Sequence, residues 1–160
     1  MRAQNEAEVL RRANSYIEYV KAERADCITA KMPCEIVEVG FDEKYVTYAF
    51  ETEDWMMNPG GVLHGGIICT MFDIAMGVTT RCFSGYYSPT VNLSVTYLCP
   101  IPNDERVLFT ARVTRLGSTF VQVVSEAKLG SSGEMCATAS ATFYCNKDKV
   151  IINKQTGERL

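Results

Sequence analysis

The residues best suited to chemistry in this sequence lie in one stretch that begins at Asn58 and ends at Asp73. The stretch reads Asn-Pro-Gly-Gly-Val-Leu-His-Gly-Gly and continues into an apolar run. Between Trp55 and Thr80, Asp73 is the only Asp, Glu, Lys or Arg, and His64 is the only histidine in the chain. A carboxylate in apolar surroundings is costly unless it is paired, hydrogen-bonded or neutralised. The turn, His64 and Asp73 are therefore the first candidates for a functional site.

Gly65 and Gly66 stand where the apolar run begins, at the N-terminus of a predicted helix. The first N–H groups of a helix lack intrahelical partners, and the helix dipole makes this end positive. Without a Cβ atom, Gly65 lets a ligand approach its N–H closely. This arrangement suits an oxygen that gains negative charge, such as a thioester carbonyl under attack. The alternative is that the glycines only permit a tight entry into the helix.

Asp73 is either a buried carboxylate satisfied by a hydroxyl, or a nucleophile or general base. Cys69 lies one helical turn earlier, but it has no basic neighbour to lower its pKa, which argues against a catalytic thiol. His64 could be a catalytic base, although no acid is near it in sequence to orient it. We expect His64 instead to hydrogen-bond to backbone or substrate and to fix the turn.

The spacing of Gly65 and Asp73 limits how they can cooperate. Eight helical residues span about 12 Å, whereas a reacting carbonyl must lie within about 3 Å of both the attacking group and its oxyanion donor. If the two residues act together, Gly65 comes from one subunit and Asp73 from another, with their helices side by side about a two-fold axis. The spacing therefore predicts a homodimer with two shared sites.

Composition excludes several other classes of function. The chain has 160 residues, 47% of them hydrophobic, and a net charge of −3. We expect one globular domain over 1–160, and no nucleic-acid partner because such proteins usually carry a basic excess. The seven cysteines and one histidine form no zinc pattern, so we expect free thiols and no metal. The apolar run 65–80 is shorter than a spanning helix and no signal-peptide pattern is present, which predicts a cytoplasmic protein without a membrane partner.

The hydrophobic pattern predicts an α+β fold. An amphipathic helix at about 4–24 precedes a hairpin formed by 34–39 and 44–50, and the apolar helix runs from about 63–66 to 81–85. Four strand-like segments follow, at 89–98, 106–116, 119–129 and 134–145, and a short segment at 150–152 could extend a sheet edge. Antiparallel strands with one uniformly apolar helix predict a sheet wrapped around that helix. This is the arrangement of a hotdog fold.

Asn58, the His64-Gly65-Gly66 triplet and Asp73 together resemble the signature of PaaI-like (phenylacetic acid degradation-type) hotdog thioesterases, which cleave acyl-CoA thioesters. The similarity extends through Val91–Pro100 and Ala111–Gly117 and covers roughly residues 34–145. The resemblance implies a hydrolase without a cofactor, assembled as a homodimer and usually as a tetramer that is a dimer of dimers.

The resemblance also implies roles for individual residues. Asp73 would be the nucleophile or the base that activates water, and Gly65 N–H would polarise the thioester carbonyl across the dimer interface. Asn58 would position water or the thioester, His64 would support the turn near the sulfur, and Thr90 would assist the water, although its spacing from Asp73 differs by one residue. Contacts to CoA would come from the following residues: Gly66, Arg115, Gly117 and Ser118.

Two other functions are compatible with the sequence. One is a noncatalytic acyl-CoA-binding protein, and the other is a hotdog enoyl-CoA hydratase, for which we find no His-and-acid pair at short spacing. The sequence does not define the acyl or aryl group of the substrate. Several bulky residues could face either an acyl tunnel or the core, namely Met56, Met57, Phe72, Met76 and Phe83.

Overall fold

The computed structural model describes residues 1–150, together with residues 152 and 157. The elements, in chain order, are α1 (Glu6–Glu23), α2 (Ile28–Lys31), β1 (Cys34–Gly40), β2 (Tyr45–Glu51), a 3-10 turn (Asp54–Met56), α3 (Gly65–Ser84), β3 (Thr90–Tyr97), β4 (Arg106–Leu116), β5 (Phe120–Leu129) and β6 (Met135–Tyr144). This order confirms the predicted helix, hairpin, central helix and four strands. The short α2 and the 3-10 turn were not predicted, because a single turn shows no hydrophobic period. The expected edge segment 150–152 lies partly outside the described residues.

The six strands form one antiparallel sheet in the order β1-β2-β4-β5-β6-β3. Buried and more exposed residues alternate along β4, β5 and β6, so one face of the sheet is apolar. Helix α3 packs against this face and contacts five of the strands, β2 to β6. A sheet that wraps around one long apolar helix is the predicted hotdog arrangement.

Aromatic packing fixes α3 against the sheet. The ring of Phe72 meets Phe109 edge-on at a centroid distance of 4.8 Å, and Phe50 meets Phe109 in the same way at 5.3 Å. Edge-to-face pairs stabilise a core beyond the area they bury. Farther along α3, the buried hydroxyls of Tyr48 and Thr79 are hydrogen-bonded at 3.1 Å. Burial raises the pKa of Tyr48 well above its ordinary value, so this phenol stays neutral.

Helix α1 packs across the C-terminal half of α3 through its apolar stripe. Val9, Ala13 and Val20 are buried there. The Arg12 guanidinium donates to the carbonyls of Cys82 and Met1, each at 2.8 Å. These contacts hold the apolar side of the N-terminal helix against α3.

By length and composition alone, α3 is apolar enough to cross a membrane. The helix has 20 residues, four more than the apolar run read from the sequence, and 67% of its most apolar window is buried inside the fold. The core helix of a globular domain satisfies the same criteria. Burial of this helix against the sheet accounts for its apolar character.

Replacing Gly85 with alanine is predicted to weaken the junction between α3 and the N-terminus. Gly85 ends α3 in the left-handed conformation (φ +74°), and a Cβ atom there would collide with the Met1 carbonyl. The left-handed conformation alone costs a non-glycine residue about 1–2 kcal/mol. We expect Gly85→Ala to lower the free energy of unfolding by at least that amount in urea denaturation. Gly133→Ala is the control, since Gly133 has the same sign of φ but open space around it; equal losses in both variants would contradict the predicted collision.

Candidate active site

His64 caps α3 with its side chain and its carbonyl. Its Nδ1 atom accepts a hydrogen bond from Gly66 N–H at 2.9 Å, and its carbonyl accepts from Ile67 and Ile68 at 2.9 and 3.1 Å. Of the first four N–H groups of the helix, that of Gly65 alone makes no hydrogen bond to a described residue. His64 thus makes the expected backbone contact, and the free N–H at the positive end of the helix suits an oxyanion.

Tyr97, at the end of β3, holds the backbone of Gly65. Its hydroxyl donates to the Gly65 carbonyl at 2.9 Å, and a Cβ atom on Gly65 would lie 3.3 Å from the tyrosine ring. The pKa of Tyr97 is raised, mainly by burial and then by Cys69, which keeps the hydroxyl a donor. Tyr97 was not predicted as a site residue, because its contact depends on how β3 crosses α3.

Asn58 organises the turn that leads to His64. Its side-chain oxygen accepts from Gly60 N–H at 2.8 Å, and its own N–H and carbonyl bond to Val62 and Gly61 at 2.8 and 2.9 Å. The turn therefore occupies the side-chain oxygen of Asn58. The predicted contact of Asn58 with water or thioester would therefore be made by its side-chain NH₂ group.

Asp73 lies on α3, partly buried, with its carboxylate held by β3. The Thr90 hydroxyl donates to Asp73 Oδ1 at 2.6 Å. A β-bulge between Thr90 and Asn92 takes up one residue, so Thr90 lies on the same side of the strand as Leu93 and Val95. That side faces the core, against which Leu93 and Val95 pack. The bulge thus turns the predicted hydroxyl towards Asp73.

A cavity of about 290 Å³ opens beside Asp73, between α1, α3 and the start of β3. Its lining comes from the following residues: Tyr16, Thr29, Asp73, Ile74, Gly77, Val78, Arg81, Tyr87, Ser88, Pro89, Thr90 and Phe143. Asn58, His64 and Gly65 are not among them. One chain therefore keeps Asp73 apart from the turn at the start of α3, as the helical spacing predicts.

A second cavity, of about 300 Å³, lies at the turn between β4 and β5. It is lined by Arg115, Gly117 and Ser118, the positions at which resemblance implied contacts to CoA, together with Phe120 and Gln122 among others. Gly66 is not part of this cavity and belongs to the start of α3. Three of the four implied CoA contacts are therefore neighbours in the fold, and Arg115 gives their cavity a positive charge.

The five bulky residues that could face either an acyl tunnel or the core all lie in the core or pack against it. Four are buried at 2% exposure or less and belong to the core, namely Met56, Phe72, Met76 and Phe83. Met57 is partly buried and packs against the same cluster. Among residues 1–150, 152 and 157, no group of three His, Cys, Asp or Glu side chains is placed to hold a metal ion.

Comparison with known proteins identifies the family. The family model described as the thioesterase superfamily matches residues 60–145, more than half of the chain. The chain belongs to the thioesterase superfamily. It is 32% identical to the acyl-coenzyme A thioesterase THEM4 of Bos taurus over 75 residues. This stretch covers 47% of this chain and 30% of THEM4. The chain spans less than two thirds of the first curated relatives that it matches, 61% of a Caenorhabditis elegans protein and 30% of THEM4.

Solved structures of other proteins share the fold. The PaaI protein of the E. coli phenylacetic acid degradation operon matches with a TM-score of 0.75 at 14% identity, covering 88% of this chain and 94% of PaaI. The protein smu.793 of Streptococcus mutans, solved with acetyl-CoA bound, matches with a TM-score of 0.65 at 22% identity, covering 71% and 88% of the two chains. These matches confirm the predicted hotdog fold, of the PaaI-like kind.

Cys69 is predicted to react slowly with thiol reagents at neutral pH. Burial and, secondarily, the charge of Asp73 raise the pKa of the Cys69 thiol, so the reactive thiolate forms only at a pH above the ordinary thiol range. We expect iodoacetamide to alkylate Cys69 more slowly than free cysteine at pH 7, with a rate that still rises beyond pH 9, as followed by mass spectrometry. Asp73→Asn should accelerate the reaction. A rate that levels off near pH 7 would contradict the raised pKa.

Proposed function

We propose that this protein hydrolyses an acyl-CoA thioester to a free acid and CoA. The observation that carries the proposal is the presence, on one helix of a thioesterase-superfamily fold, of an N–H at Gly65 that is bonded to no described residue and of a hydrogen-bonded carboxylate at Asp73. A relative that is named as an acyl-CoA thioesterase and a structural neighbour that binds acetyl-CoA support the choice of substrate class.

The two groups have complementary tasks in thioester hydrolysis. Asp73 either attacks the thioester carbonyl or removes a proton from an attacking water, and the Thr90 hydroxyl orients it for both. The carbonyl oxygen gains negative charge, which the Gly65 N–H and the helix dipole stabilise. The C–S bond then breaks and the CoA thiolate leaves. If water attacked, the free acid forms in this step, and the proton that Asp73 took from the water passes to the thiolate. If Asp73 attacked, an anhydride of the acyl group with Asp73 forms, and a water molecule then hydrolyses it to the free acid and regenerates Asp73. Asn58 and His64 support this step by holding the turn in front of Gly65.

A second copy of the chain is needed to bring these groups to one carbonyl. The free edge of β3 offers a surface for that copy, since no described strand pairs with it and no charged side chain occurs from Thr90 to Leu98. Unpaired edges without charges readily accept another strand. Pairing of two β3 edges about a two-fold axis would set the α3 helices side by side. Further pairing into tetramers and a cytoplasmic location remain predictions.

Asp73→Asn is expected to keep the fold but lose at least ~100-fold in the rate of thiol release. The amide retains the shape of the carboxylate and its hydrogen bond to Thr90, but it neither attacks a carbonyl nor accepts a proton. A panel of acyl-CoAs with a thiol-reactive dye gives the rate, and circular dichroism checks the fold. Asp26→Asn, at an exposed position outside the cavity, is the matched control. Full activity of Asp73→Asn would rule out the proposed role, and turnover of enoyl-CoA without thiol release would favour the hydratase alternative.

Mixing two inactive variants tests whether each site is shared. Gly65→Pro removes the N–H at the first helical position, where proline is tolerated, and His64 already has the extended backbone that precedes proline (φ −63°, ψ 132°). Gly65→Ala is the control for Gly65→Pro. It places a Cβ atom against Tyr97, as the proline does, but it keeps the backbone N–H. We expect Gly65→Pro to lose about 100-fold or more.

Subunits that carry Gly65→Pro and Asp73→Asn are then denatured and refolded together in equal amounts. If the sites are shared, half of the dimers are mixed, and each mixed dimer has one intact site. About a quarter of wild-type activity should therefore return. If both groups act within one chain, no activity returns, and the shared-site proposal fails.

A further inference from the structure

Arg81 is a buried cation without an ionic partner in the described part of the chain. It lies on the last turn of α3 and is 7% exposed, and its Nη1 atom has no hydrogen-bond partner among the residues that the structure describes. By contrast, Arg106 is exposed and is paired with both Glu35 and Glu51. Burial of an unpaired charge is costly. A guanidinium kept in this state calls for an explanation beyond packing.

Aromatic rings hold the Arg81 guanidinium in place. Its central carbon lies 4.7 Å from the ring centroid of Tyr16 on α1 and 5.4 Å from that of Tyr87. Cation–π contacts use the faces of a guanidinium, whereas its N–H donors project from its edge. The ammonium of Lys149 lies 4.2 Å from the same Tyr87 ring and adds positive charge to this end of the cavity. Nη1 is buried as well as unsatisfied, so it would gain a partner only if an acceptor entered the fold beside Arg81.

Arg81 lines the same cavity as Asp73. The sequence Asp73–Gly77–Arg81 has helical spacing i, i+4, i+8, which places the three residues along one face of α3. Gly77 presents no side chain, so helix surface is open between the carboxylate and the guanidinium. The two backbone positions are about 12 Å apart, and the Cα–Cβ bonds of a helix tilt towards its N-terminus, so a long side chain at position 81 can span part of that distance.

We propose that this cavity holds the acyl part of the substrate and that Arg81 binds a carboxylate at its far end. The preferred substrate is then a CoA monothioester of a dicarboxylic acid. A guanidinium edge matches a carboxylate in shape and charge, and the pair is favoured where water is excluded. The inference rests on the proposed function, because it assumes that the acyl carbonyl reacts at Asp73.

Chain-matched substrates test this inference directly. Adipyl-CoA and suberyl-CoA are compared with hexanoyl-CoA and octanoyl-CoA, which carry the same CoA phosphates but no second carboxylate. We expect wild-type protein to favour the dicarboxylic member of the better pair by about 10-fold to 100-fold in kcat/KM, the range for hydrogen bonds between charged groups. Equal turnover within both pairs, or preference for the neutral chains, would overturn the inference.

Variants of Arg81 separate recognition from packing. Arg81→Met keeps an apolar stem against Tyr16 and Tyr87 but removes the charge, and Arg81→Lys keeps the charge without the fork of donors. We expect the ratio of kcat/KM for dicarboxylic over neutral substrate to fall at least about 10-fold in Arg81→Met, and less in Arg81→Lys. If Arg81→Met lowers both rates in parallel, the residue is merely structural and the inference fails.

Binding of product acids distinguishes failure of this inference from failure of the proposed function. Titration calorimetry with adipate and hexanoate requires no turnover. If no acyl-CoA is hydrolysed but adipate binds to wild-type protein and not to Arg81→Met, the proposed function fails and the carboxylate site stands. If thioesters are hydrolysed without dicarboxylate preference and adipate does not bind, the function stands and the inference is overturned. If there is neither turnover nor adipate binding, both are overturned.

Discussion

Burial of α3 inside the sheet is the constraint on which the rest of this structure depends. Packing of Phe72 on Phe109 and of α1 on the C-terminal turns leaves little of the helix accessible. The residues of α3 that are not fully buried include Gly66, Thr70, Asp73 and Gly77, which follow helical spacing. A core helix thus retains one narrow stripe that is free for ligands, and the candidate chemistry lies on that stripe.

The positions of residues along α3 also set the distances between the functional groups. Gly65 lies eight residues before Asp73, and Arg81 lies eight residues after it. About 12 Å is too far for Gly65 and Asp73 of one chain to contact one carbonyl, so the proposed hydrolysis takes the two groups from two subunits. The same interval suits Asp73 and Arg81 as partners for the two ends of one acyl group. The same interval of eight residues is therefore too long for two groups that act on one carbonyl and suitable for two groups that bind opposite ends of one acyl chain.

Much of the fold and part of the site could be predicted from the sequence. The apolar helix, the strands and the turn at Asn58–His64 carry strong local patterns, and the eight-residue interval already separated Gly65 from Asp73. The contacts of Tyr97 and Tyr16 could not be predicted, because they depend on how β3 and α1 cross α3. Arg81 did leave a signal, since it is the first charged residue after Asp73 and has the spacing of the same helical face. The spacing alone did not show that the charge is buried, because the burial depends on α1, whose Tyr16 packs on the guanidinium.

The β-bulge in β3 decides which way Thr90 faces. Residues of a regular strand alternate between its two sides, so without the bulge Thr90 would share a side with Asn92 and not with Leu93 and Val95. The contact between Thr90 and Asp73 therefore depends on the register of the strand as well as on the residue type. A threonine at the same position of a regular strand would present its hydroxyl to the opposite face of the sheet.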